Sequence, residues 1–204
     1  MALAANNNTA TMQTLGFLTV LDYGPEGLFG GYLALNFSGR PLEFHCTAPI
    51  KPNRAQEILY GPTLEPYLYG EQIGQTLLSK AASRPLVVCT DQEAALAVRD
   101  FVDMPVALVY SIEDERDAEE SQPPVCDSTD DNSQKIWRID SAHAAGSDLA
   151  EFHLGRNHLA VSSRSGDDRR AITERLENLG ESFDLSEPFT RIREAIEEAR
   201  RGGR

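Results

Sequence analysis

Between Leu15 and Thr47 three short apolar segments follow one another, joined by turns too tight for any crossover. Leu15–Leu21 is apolar and partly β-branched, as a buried strand is. Tyr23-Gly24-Pro25-Glu26-Gly27 is turn chemistry. Leu28–Phe37 is a second strand, and Ser38-Gly39 turns it into a third, Arg40–Thr47. Consecutive strands with such short connections can only pair antiparallel, so the spacing predicts a β-meander. Gly30 and Gly31 stand together inside the second strand, where glycine marks a bulge or a close approach of another backbone.

Helical sequence follows. Pro49 and Pro52 end the third strand, and Asn53 is a good N-cap for Arg54–Leu59. Gly61-Pro62 interrupts, and a second helical stretch runs from Thr63 to about Ala82, with Ile73, Leu77 and Leu78 on one face. Gly70 and Gly74, four apart, either admit a neighbouring backbone or weaken this helix. Leu86–Cys89 and Val106–Tyr110 are uninterrupted apolar runs of the kind buried on both faces of a parallel sheet. Between them Gln92–Val102 shows a helical stripe of Ala95, Val98 and Val102. That pattern predicts a small right-handed βαβ unit.

The charge is concentrated. Formal net charge is −13. Nine acids and one base between Glu113 and Asp131 contribute −8 of it, leaving −5 for the rest. This segment, to Gln134, has too little apolar content to offset ordering entropy, which predicts disorder. Lys135–Asp140 alternates as a half-exposed strand. Phe152–Ser163 holds a strand pair around Gly155-Arg156-Asn157. Asp167–Leu179 is a helix with Ile172, Leu176 and Leu179 on one face. Ser186-Glu187-Pro188 opens the last helix, striped by Phe189, Ile192 and Ile196.

The expected fold is therefore α+β: an antiparallel meander packed by helices, extended by a short βαβ unit, with two C-terminal helices. The expected organisation is a disordered tail over 1–12, an α/β core over 13–112, the acidic loop over 113–134, and 135–204 packed on the core as one domain. An acidic surface repels phosphates and anionic membranes, so nucleic acid and membrane are not expected partners. No apolar run reaches the length of a membrane span. Three cysteines without regular spacing, and no secretory start, point to the reducing cytoplasm.

No acid, base and nucleophile can be assembled from spacing alone. On a strand, His45 and Cys46 point to opposite faces, so Leu42, Phe44 and Cys46 are expected to form the buried side and Glu43 and His45 the polar side. Cys89-Thr90-Asp91 closes a strand and opens a helix, where parallel sheets gather ligands, although Thr90 and Asp91 also suit helix capping. His153 and His158, five apart, are the nearest approach to a zinc pattern, and no metal or cofactor is expected. Ser162–Gly166 before a helix suits a phosphate, but Asp167 and Asp168 occupy that position with like charge. Tyr60, Tyr67 and Tyr69 cluster with Pro62 and Pro66, and tyrosine offers apolar area and a polar tip together, as interfaces require. Two functions follow. One is a non-enzymatic protein-binding or assembly module, docking a protein partner or a second copy through the tyrosine-bearing region or the terminal helix. The other is a small-molecule enzyme or ligand sensor with a pocket near Cys46, Cys89 and Asp91.

Overall fold

A computed structural model describes residues 13–111, 149–177, 179 and 183–202. The expectations for the tail 1–12, the acidic loop 113–134 and the strand 135–140 lie outside these residues.

The three predicted strands form as β1 (Thr14–Asp22), β2 (Leu28–Asn36) and β3 (Pro41–Cys46), paired antiparallel. The predicted pair of buried strands forms as β4 (Val87–Thr90) and β5 (Val106–Val109), which run parallel to β1 and to each other. The hairpin β6 (Leu149–Leu154) and β7 (Asn157–Ser162) turns at Gly155 (φ 57°) and joins antiparallel through β7. Among the described residues the result is a seven-stranded sheet in the order β3-β2-β1-β4-β5-β7-β6, mostly antiparallel, in the α+β class.

Helices cover both faces. On one lies a run made of α2 (Leu64–Pro66), a π-helical segment (Tyr67–Gln75) and α3 (Thr76–Lys80), with α1 (Arg54–Tyr60) packed against its start. The segment between β4 and β5 joins them there, as a 3₁₀ helix (Glu93–Phe101) rather than the α-helix its stripe suggested. On the other face lie α4 (Gly166–Arg175) and α5 (Glu187–Gly202), the two expected C-terminal helices. Alternate residues of each strand feed two cores. Leu15, Phe17, Leu33 and Cys89 meet Ile172, Phe189, Ile192 and Ile196. Leu18, Val20, Tyr32 and Val88 meet Leu68, Ile73, Leu77 and Val98. Arg99 and the buried Asp168 clamp the two helical layers together through bonds of 2.6 and 3.1 Å.

The adjacent glycines explain how both layers come so close. A Cβ on Gly30 would stand 2.1 Å from Ile73 Cγ2, and one on Gly31 2.3 Å from Ile192 Cγ2. Successive residues face opposite sides of a strand, so each glycine admits one isoleucine from one layer. Gly70 does the same for the 3₁₀ segment, where a Cβ would lie 2.7 Å from Ala97 Cβ. At Gly30 and Gly31 it is the close approach of side chains, and neither a bulge nor another backbone, that calls for glycine.

Candidate functional site

The residues singled out from the sequence fall into two groups, and only one group is brought together. Asn53 caps α1 as expected, in a reciprocal capping box: its Oδ1 accepts from Gln56 N, and Gln56 Oε1 accepts from Asn53 N, both at 2.9 Å. Gly61, at φ +49°, ends the helix. Alpha helix α1 therefore has defined ends, yet none of its residues is buried. Ile58 and Leu59 are 67% and 81% exposed.

Directly after them, Tyr60 stacks on Tyr67 with ring centroids 4.0 Å apart and planes 22° from parallel. The hydrogen bond with Tyr67 pushes the Tyr60 phenol up, with desolvation adding to it. Tyr69 stands on the wall of an adjoining cleft of about 410 Å³, shared with Asp22, Lys51, Glu57, Glu65 and Leu68. Burial pushes the Tyr69 phenol up, and the carboxylates of Glu65 and Asp22 add to the shift. Tyr60 and Tyr67 thus continue the exposed apolar pair of α1, while Tyr69 faces the neighbouring, predominantly acidic cleft.

Cys46, Cys89 and Asp91 form no common pocket. Cys46 is exposed on the outer strand β3, which corrects the expectation of a buried thiol. The alternation along β3 holds, but the covered face is the other one. Glu43 accepts from Ala82 N (2.7 Å), Ser83 N (3.1 Å) and the Ser83 hydroxyl (2.9 Å) of the loop after α3. It also contacts His45 Nε2 at 2.5 Å. Partial burial works to raise the Glu43 pKa, but these hydrogen bonds outweigh it and hold the carboxyl at about 2. Leu42 and Phe44 are left 39% exposed each.

Cys89 is buried in the sheet, and burial pushes its thiol up to about 12, far from a thiolate nucleophile. Asp91 follows β4 and pairs with Arg193 of α5. Burial raises the Asp91 carboxyl, while the facing Thr19 hydroxyl and Arg193 pull it down. Neither Thr19 Oγ1 nor Asp91 Oδ1 has a partner at full hydrogen-bond geometry, so Thr19 acts mainly as a nearby dipole. Thr90 does not cap the helix as expected: the N-cap is Gln92, with no side-chain cap bond, and the buried Thr90 hydroxyl only accepts from Gln92 N at 3.3 Å in the turn before it. Asp91 is instead a latch between the sheet and α5.

The sequence marks Ile58 and Leu59 only as part of the helix Arg54–Leu59. Their adjacency gives no warning, since residues about 100° apart can share one buried face, as Leu77 and Leu78 do. Among the described residues no helix is long and apolar enough to cross a membrane, and no three His, Cys, Asp or Glu side chains gather as metal ligands would. Compared with models of known protein families and with curated proteins, the chain has no significant match.

Proposed function

We propose that this chain is a non-enzymatic protein-binding or assembly module whose docking face is α1 with the Tyr60–Tyr67 stack beside it. The observation that carries this reading is the pair Ile58 and Leu59, held in solvent on a well-capped helix that buries nothing. Exposed large apolar residues next to rigid aromatics are the ingredients of interface hot spots. The flank is acidic, with Asp22, Glu57, Glu65 and Glu71 against Lys51 and Arg54. It favours a protein segment whose apolar anchors are followed by lysine or arginine. The net charge of −13 disfavours a nucleic-acid partner, and the irregularly spaced cysteines suit the cytoplasm. The competing reading, an enzyme or ligand sensor, draws no support from the separate placements of Cys46, Cys89 and Asp91.

The test is a photo-crosslinking residue at Leu59, introduced in cells of the source, with the same residue at the exposed Arg170 as control. The expected result is a discrete adduct at Leu59 alone. The captured protein, once purified, should bind the native chain more weakly as salt rises and at least about tenfold more weakly to Leu59→Glu. Identical adducts at both positions, or binding indifferent to Leu59→Glu, would overturn the proposal.

A further inference from the structure

The outer strand β3 carries a pattern that complements itself. Thr47 N donates to Gly30 O at 3.0 Å, and Gly31 pairs with Cys46. In an antiparallel ladder the residues that bond the neighbouring strand alternate with those that do not. Glu43 and His45, opposite Ala34 and Tyr32, therefore bond inward to β2. The backbone N–H and C=O of Phe44 and Cys46 point outward, and no described group bonds them.

We infer that β3 pairs antiparallel with β3 of a second copy of this chain, about a two-fold axis at Phe44. In that register Phe44 faces its own copy, Leu42 faces Cys46, and each Glu43 faces the other chain's His45. Apolar meets apolar on one side of the sheet, and carboxylate meets imidazole on the other. Centring the axis on Glu43 or on His45 instead would set like residues opposite each other, which costs free energy. The pattern Leu-Glu-Phe-His-Cys thus selects both the partner and the register, and a two-fold pairing closes on itself.

The opposite outer strand repeats the triplet as Glu151-Phe152-His153. There Phe152 is only 6% exposed, with Arg169 of α4 set 5.6 Å from the ring centre, so no comparable apolar face is offered. On β3, by contrast, Leu42 and Phe44 are both exposed. A bulge at Leu42, where Ala34 pairs with Glu43 and Leu35 with Pro41, shortens the usable edge. So few residues bury less than the roughly 800 Å² per partner of a standard interface, which makes the dimer weak and concentration-dependent. This interface lies on β3 and is independent of the α1 docking face.

Sedimentation of the full chain over a wide concentration range, together with amide exchange, tests the pairing. The expected result is a monomer–dimer equilibrium in which the Phe44 and Cys46 amides slow as dimer forms. Phe44→Pro removes an outward N–H and leaves the ladder to β2 intact; it should weaken the dimer at least about tenfold. Should that variant fail to fold, register is read by crosslinking. Phe44→Cys with Cys46→Ser and Cys126→Ser should form an intermolecular disulfide under mild oxidant. The two native Cys46 residues, four residues apart along the paired strands and so about 13 Å distant, should not. Four results would each overturn the inference: a monomer at every concentration with fast amides, a monomer with these amides protected by another part of its own chain, open-ended polymers joining β3 to β6, or a dimer unchanged by Phe44→Pro.

Discussion

Gly31→Ala puts the three-layer packing under direct strain. The new methyl would lie 2.3 Å from Ile192 Cγ2 and 2.9 Å from Ile196 Cδ1, both of which are buried. The first contact is far inside van der Waals range, so α5 or the strand must shift. Overpacking of this kind costs about 1–3 kcal/mol. Gly31 does not adopt positive φ, so alanine also restricts the unfolded chain and returns about 0.4–1 kcal/mol. The net expectation is a loss of about 1–2 kcal/mol, or roughly 2–8 °C in Tm for a domain of this size. Ile192→Ala alone leaves a cavity and costs about 2–5 kcal/mol. Combined with Gly31→Ala it should cost little more, because the methyl then fills the space that Cγ2 vacated. Urea melts of the four proteins should give a coupling of about 1–2 kcal/mol. Ile73→Ala is the control: Ile73 meets Gly30 on the other face, so its effect should simply add to that of Gly31→Ala. Coupling to Ile73 and additivity with Ile192 would refute the assignment of one glycine to each layer.

Three further outcomes are expected. Glu43→Gln should cost about 2–3 kcal/mol at pH 7, because charge-assisted bonds to Ala82, Ser83 and His45 are lost. Its folded pKa of about 2 lies below the ordinary 4.5, so the unfolded chain binds this proton more readily; the native advantage over Glu43→Gln, read from urea midpoints, is full above the ordinary value and shrinks as pH falls toward 2. Asn157→Ala should cost about 2–3 kcal/mol in the same assay. Its buried amide donates to Leu154 O (3.3 Å) and Phe183 O (2.9 Å) and accepts from Leu185 N (2.9 Å), tying the β6–β7 hairpin to the entry of α5. In thiol labelling of the native protein, Cys46 should react promptly, and Cys89, buried with its thiol at about 12, only on unfolding.

The meander was legible because its turns are short, and short turns leave only antiparallel pairing. The apolar stripes Ile73/Leu77 and Phe189/Ile192/Ile196 were legible because helical period and burial coincide there. What escaped depends on contacts distant in sequence. Nothing local says that the loop at Ala82–Ser83 folds over Glu43 and His45, so alternation in β3 could be read but not which side would be covered. Asp91 read as a cap because its partner, Arg193, lies 102 residues away. The tyrosine cluster was legible as a cluster, while its most exposed neighbours, Ile58 and Leu59, looked like ordinary helix interior. A hydrophobic residue signals burial only when some other element arrives to bury it, and on α1 none does.

Whether the α1 ridge is occupied inside the cell can be measured directly. Leu59→Cys and, as reference, Arg170→Cys, each in a chain that also carries Cys46→Ser and Cys126→Ser, would be labelled with a membrane-permeant maleimide in living cells of the source and again as purified proteins. A docking face predicts that position 59 reacts at least about tenfold more slowly relative to position 170 in cells than in the purified chain. The same ratio in both settings would mean that the ridge stands uncovered, and would contradict the account of this chain as a protein-binding module.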